Sequence, residues 1–165
     1  MRLPAELDPA SVVALVDSRE QHPFDLAPLA SITGTLATGD YSIRGLEQHV
    51  AIERKSLPDL LGCIGQDRER FDKEIVRLLA YPCRAVVVEA SWSDLERGDW
   101  RSKVTPQAAT GSVLGWIAQG VPFLFCGSRE AAAKATSRML YITARRHWRI
   151  ARSLVGSVER LEAVA

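Results

Sequence analysis

Three observations in the sequence predict an α/β fold in three layers, with helices on both faces of a central mixed sheet. Short β-branched runs alternate with amphipathic stretches along the chain. Within residues 84–89 the run Ala-Val-Val-Val is too continuously apolar for a half-exposed strand and suits a central one covered on both faces. Residues 104–128 carry no charge, as an interior segment should. The length agrees: 165 residues, 47% hydrophobic and 25% charged, can close one core without metal or disulfide staples. That arithmetic excludes disorder and fibrous repeats and leaves little room for two full domains.

The elements follow in order. Residues 11–16 form a short apolar run ending in Asp17-Ser18-Arg19-Glu20, a buried strand that delivers polar side chains at its exit. His22-Pro23 opens a loop. Residues 33–36 and 40–43 flank Ala37-Thr38-Gly39 and read as a hairpin, and residues 49–55 add a strand after a turn at Gly45. An antiparallel N-terminal sheet is therefore expected. Ser56 stands where an N-cap belongs, and Leu57, Leu60, Leu61 and Ile64 follow at helical spacing until Gly65. A second helix is predicted over residues 68–80, burying Phe71, Ile75, Leu78 and Leu79 and stopped by Tyr81-Pro82. Beyond the strand at 84–89 come a helix over 106–119 with Trp116 on its inward face, a strand over 122–126 and a long helix from Ser128 onward.

Charge is unevenly spread although the formal net charge is only +1. Residues 1–80 hold 9 basic and 13 acidic side chains, whereas residues 81–165 hold 12 and 7. Between Arg129 and Arg152 seven basic residues face only Glu130, which predicts a basic surface near the C-terminus. Cys63, Cys83 and Cys126 lack the pairing or spacing that zinc needs and read as reduced residues of an intracellular protein. The first residues have no apolar signal core. Pro106, Gln107, Gln119, Gly120 and Pro122 break the charge-free stretch into pieces too short to span a membrane.

One constellation points to chemistry. Residues two apart in a strand share a face, so Glu53 and Lys55 project to one side and Arg54 to the other. Asp40 opens the neighbouring strand directly after a glycine, and Asp17 and Glu20 leave the end of a third. Four acidic groups can then converge. Crowded carboxylates repel one another unless a cation neutralises them, and magnesium, which takes oxygen ligands, one or two carboxylates and substrate phosphate, is the natural candidate. Lys55 is placed to position or deprotonate water or to stabilise developing charge. Arg70, Lys73 and Arg77 line one helix flank, either solvated with Glu74 as partner or in contact with a nucleic-acid backbone. Asp59 is open between a capping role with Ser56 and a catalytic one. His22, His49 and His147 have no companion ligand at metal spacing.

The ordered string Gly39-Asp40, Glu53-Arg54-Lys55 and Asp59 resembles the signature of the XPF/Mus-type structure-specific endonucleases, a branch of the restriction-endonuclease-like nucleases. Val16-Asp17-Ser18-Arg19-Glu20 is similar to the Asp-x-Arg-Glu that precedes it in that family, and Gln66 with Arg70-Phe71 resembles the helix that follows. The resemblance covers residues 12–146 and implies a nuclease domain over 1–150, with 151–165 as its helical extension, in a restriction-endonuclease-like α/β/α fold. It implies a Mg²⁺- or Mn²⁺-dependent endonuclease acting on branched, flap or junction DNA. Asp40 and Glu53 would be the metal ligands, helped by the Arg54 carbonyl, and Lys55 the catalytic lysine. Asp17 and Glu20 would be further members of the acidic site, and Arg19, Arg54 and Arg70 match positions near the cleft for phosphate contact or orientation of the carboxylates; the flank of Arg70, Lys73 and Arg77 is expected to meet the DNA backbone.

Nothing in the sequence resembles the helix-hairpin-helix motifs that such nucleases append, so a second copy or a protein partner is expected to supply further DNA contacts. Leu140, Ala144, Trp148, Ala151, Val155 and Val158 form a stripe that suits a homodimer contact or a helix folded back on its own domain. The alternatives in function are a non-catalytic DNA-binding or scaffold subunit of a nuclease complex and a junction-resolvase-type nuclease.

Overall fold

The computed structural model describes residues 3–162, with side chains to residue 157. A single sheet contains β1 (Val13–Asp17), β2 (Ala30–Gly34), β3 (Tyr41–Ile43), β4 (Val50–Lys55), β5 (Cys83–Val88) and β6 (Phe123–Phe125), in the order β2-β1-β3-β4-β5-β6. β3 is antiparallel to β1 and β4, while the β2–β1, β4–β5 and β5–β6 pairs are parallel, so the sheet is mixed. The helices are α1 (Leu57–Ile64), α2 (Arg68–Leu78), α3 (Trp92–Arg97), α4 (Pro106–Ala118) and α5 (Arg129–Glu162).

Alternation along β5 explains its unbroken apolar run. Val86 and Val88 join the core beneath α1, α2, α3 and α4, with Leu60, Ile75, Leu95 and Trp116, whereas Val87 joins the opposite core with Tyr41, Ile52 and Leu140 of α5. Helices thus cover both faces, giving the three-layer α/β/α arrangement with a central mixed sheet that the sequence predicts, consistent with a restriction-endonuclease-like fold. Ser56 caps α1 by accepting from the Asp59 N–H at 3.2 Å, and Gly65 follows its end. The charge-free stretch becomes α4 and β6, and among the described residues no helix is long and apolar enough to cross a membrane.

The expected N-terminal hairpin is not formed. β2 lies parallel to β1 on its outer edge, and β1 separates it from β3. The cause is the β1–β2 connection, which buries Phe24, Leu26 and Leu29 in the α5-side core and so returns the chain in the same direction before β2 begins. α3, which is not among the predicted helices, is held by a reciprocal capping box between Ser91 and Asp94 and closed by Gly98 in the left-handed region. Leu140 and Ala144 of the α5 stripe are core residues. Trp148 Nε1 donates to the Pro4 carbonyl at 3.3 Å and Arg152 Nη1 to the Ala5 carbonyl at 3.2 Å, so the chain's own N-terminal segment covers part of the stripe. Val158 lies outside the described side chains. Ile150 and Leu154 of α5 remain exposed.

Trp116 is the largest fully buried side chain. It stacks on Phe123, meets the edge of Phe71 at a centroid distance of 4.9 Å, and donates from Nε1 to Asp72 at 2.8 Å. Trp116→Ala is expected to cost about 3–5 kcal/mol, measured as a fall in the denaturant midpoint at unchanged m-value.

Candidate functional site

Strand register builds the site. Tyr41 pairs with Ile52 across β3–β4 and with Val16 across β1–β3, and these three side chains enter the α5-side core. One position further along, Asp40 therefore faces Glu53 on one neighbour and Asp17 on the other, and period-two alternation turns all three acids to the opposite face. They line one cleft of about 390 Å³ together with Arg19, Glu74 and Arg77. Gly39 makes the approach possible. Its φ is +78°, and a Cβ there would sit 3.0 Å from the Ile52 carbonyl oxygen, against the backbone of β4.

Asp40 is tied into the backbone on both sides. Its N–H donates to the Ile52 carbonyl, its own carbonyl accepts from the Asp17 N–H, and its carboxylate accepts from the Arg54 N–H at 2.7 Å. Burial and the Glu53 charge outweigh that last bond and push Asp40 up to about 7. Burial also raises Glu53, although the Lys55 ammonium beside it pulls the other way. The Lys55 Nζ is hydrogen-bonded to Glu53 and lies 5.2 Å from the centre of the Phe71 ring. Burial alone would weaken its hold on the proton, but the Glu53 carboxylate more than offsets this, so Lys55 is held in the ammonium form.

Asp17 behaves differently. It is buried, yet the Arg19 guanidinium grips it with two bonds, at 2.7 and 3.1 Å, and the backbone N–H groups of Arg19 and Leu36 add two more, at 2.9 and 2.7 Å. Burial opposes its ionisation, but these donors prevail and hold its carboxyl below the usual range. Arg54 projects to the other face, as its strand position requires. Its Nε donates to Glu89 at 2.8 Å and its Nη1 lies 3.4 Å from Glu20, while Arg129 of α5 donates to Glu89 at 2.9 Å. Glu20 is thus drawn to Arg54 and also accepts from the His22 N–H; it does not line the cleft with the other three acids.

The remaining expected residues divide. Arg19 and Arg77 line the cleft, and Arg77 is paired with Glu74. Arg70 lines a small adjoining pocket with Glu53, Lys55 and Cys63 and sits 3.5 Å from Asp67. Lys73 pairs with Glu69 at 2.9 Å in solvent and lines neither cavity. The Asp59 carboxylate accepts from the Ser56 hydroxyl at 2.6 Å at the start of α1, and it does not line the cleft. Glu74 pairs with Arg77 as the helix flank predicts, whereas Glu89 has no such signal. Glu89 directly follows β5, and its partner Arg54 is 35 residues away, so no local pattern marks it. The cysteines are free, with Cys63 buried and the other two partly so.

Among the described residues, no group of three or more His, Cys, Asp or Glu side chains is gathered so as to hold a metal ion. The donor set does fit a hard cation that needs only two carboxylates. Asp40 and Glu53 are adjacent, both raised by burial, and the Glu53 charge further raises Asp40, a conflict that a divalent ion between them would relieve.

A family model described as the ERCC4 domain matches residues 16–139. Two solved structures are similar in fold: XPF from Aeropyrum pernix, at TM-score 0.66 and 18% identity over 81% of this chain, and XPF from Aeropyrum pernix in complex with DNA, at TM-score 0.65 and 18% identity over 82%. This chain spans 62% and 66% of those two chains, respectively. No curated protein matches the sequence.

The raised Asp40 pKa has a consequence for stability. Because Asp40 binds its proton more tightly when folded than at its ordinary value of 3.8, the folded state loses stability as pH rises from about 4 through about 7. Asp40→Asn removes that loss. Its unfolding free energy is expected to exceed wild type by on the order of 1–4 kcal/mol at pH 8 and to converge on it near pH 4–5, as measured by denaturant titration across the pH range.

Proposed function

Since this chain belongs to the ERCC4-domain family, we propose that it is a DNA endonuclease whose Asp40, Glu53 and Lys55 act on phosphodiester bonds at branched, flap or junction structures. The observation that carries the reading is the register that sets Asp40 opposite Glu53 with Lys55 on the same face. The solved relative in complex with DNA supports DNA as the partner. Residues 1–150 form the nuclease domain in this reading, with 151–165 as its extension, and a second copy or protein partner adds DNA contacts through surfaces such as Ile150 and Leu154.

Asp40 and Glu53, with the Arg54 carbonyl, would hold Mg²⁺ or Mn²⁺, which when bound polarises the phosphoryl oxygen and acidifies water. Lys55, kept protonated by Glu53, offers its ammonium to the charge that develops on the phosphoryl group rather than serving as a base in this state. Arg19 and Arg77 place two guanidinium groups on the wall of the same cleft, where they would meet phosphates on either side of the scissile bond. Asp17 orients Arg19 through their two bonds, and Glu20 with Glu89 holds Arg54, whose main chain in turn positions Asp40.

A second reading, a non-catalytic DNA-binding or scaffold subunit, is favoured by the absence among the described residues of a three-ligand acidic cluster. It asks only for the family and the fold. Cleavage of labelled single strand, duplex, 3′ flap, fork and four-way junction with Mg²⁺, Mn²⁺ or EDTA separates the two. The endonuclease should cut at least one branched substrate with metal, and Asp40→Asn or Lys55→Ala should slow this by about 10²–10⁴-fold while still binding DNA. Binding without cutting under every metal would establish the scaffold instead.

A further inference from the structure

β2 is an edge strand that the rest of the fold leaves open. Four of its five residues are exposed, whereas β6 at the other edge is half-buried throughout, with Phe123 and Phe125 packed against the core. Folded proteins usually blunt an exposed edge with a lysine, a proline or a bulge. β2 has none of these: residues 26–39 carry no charge, residues 30–34 hold no proline, and the register with β1 runs unbroken from Ala30 to Gly34. The Ala30 N–H donates to the Val12 carbonyl and the Gly34 carbonyl accepts from the Ser18 N–H, so alternation along the strand turns the N–H and C=O of Ser31 and Thr33 outward, where no strand of the sheet meets them. Ile32, 39% exposed, stands between them. The start of β2 adjoins a pocket of about 190 Å³ lined by Pro28, Leu29, Arg138 and Tyr141. Arg138 is exposed over the Tyr141 ring and among the described residues has no carboxylate at ion-pair distance, whereas Lys134, one turn earlier, is paired with Glu130. The other end of β2 leads to the cleft, since Leu36 donates from its N–H to Asp17 and its carbonyl accepts from Arg19.

An uncharged strand edge beside an unanswered guanidinium is the complement of an extended peptide that is uncharged along its length and bears a carboxylate at one end. A second copy of β2 does not supply that carboxylate, because residues 26–39 contain no acid. We propose that β2 receives an extended segment of a different protein, which joins the sheet as a further strand through the main chain of Ser31 and Thr33, sets a branched apolar side chain beside Ile32 and places a carboxylate, from an acidic side chain or from its own C-terminus, on Arg138. The inference is independent of the chemistry assigned to the cleft. It adds a way of holding a partner protein next to Asp17 and Arg19 without occupying the site.

The test selects short random peptides, displayed with a free C-terminus, on the intact chain and measures the selected ones by fluorescence anisotropy. They should alternate β-branched residues along their length and carry an acid or depend on the terminal carboxylate; amidating the C-terminus separates these two sources, because it removes binding only in the second case. Arg138→Glu should weaken binding about 5–20-fold, and Thr33→Pro, which removes an outward N–H and leaves the β1 ladder in place, by about tenfold or more. A second measurement leaves the protein unchanged: N-methylation of alternate peptide amides should abolish binding in one phase of the strand and spare it in the other, and amide exchange at Ser31 and Thr33 should slow in the bound state. Enrichment of no peptide, equal binding to wild type and both variants, or indifference to N-methylation in both phases would overturn the proposal. Self-association of the chain that Thr33→Pro abolishes would overturn it too, by giving the edge to a second copy.

Discussion

The backbone of Asp40 is the joint on which the rest of the structure turns. β3 has only three residues, yet it fixes the register of β1 and β4 together, because Asp40 bonds to Ile52 on one side and Asp17 on the other. A one-residue slip of β3 would turn Tyr41 into the cleft and drive Asp40 into the apolar core beneath α5. Burying unpaired carboxylates there costs several kcal/mol each. The packing of one face therefore enforces the chemistry of the other. Gly39 belongs to the same joint, since a side chain at its position would press on the β4 backbone that Asp40 must reach.

What the sequence discloses is what depends on local period. Glu53 and Lys55 share a face because they are two residues apart, and the helical stripe of α1 follows from spacings of three and four. The β2 hairpin fails for the converse reason. Turn chemistry at residues 37–39 is the same whether the chain folds back on its neighbour or crosses the end of β1, and the choice is made by Phe24, Leu26 and Leu29 packing against a helix more than a hundred residues downstream. Ser91-x-x-Asp94 did carry a readable capping signal for α3, of the kind seen at Ser56 and Asp59. Glu89 carried none, because its meaning comes from the parallel pairing of Lys55 with Val88, which sets the end of β5 beside Arg54.

Arg54 connects the two sides of the sheet. Its main chain holds the Asp40 carboxylate in the cleft, and its side chain is fixed on the opposite face by Glu89 and Glu20, with Arg129 of α5 closing the group. The guanidinium groups of Arg54 and Arg129 also flank Phe24, at 5.7 and 5.1 Å from its ring centre, and Phe24 stacks on Tyr41. The position of the carboxylate thus depends on packing that reaches to the start of the longest helix.

The contrast between the acids is informative about purpose. Asp17, Glu20 and Glu89 each have an arginine partner, so this fold is able to neutralise carboxylates where stability is the only demand. Asp40 and Glu53 share only Lys55, and burial leaves both reluctant to ionise. An adjacent, desolvated and under-neutralised pair weakens the folded state, and an apolar or amide substitute would relieve it. The charge deficit is confined to one cleft, in a chain that balances its other buried acids with arginine, and it is this imbalance that the proposed divalent ion would relieve.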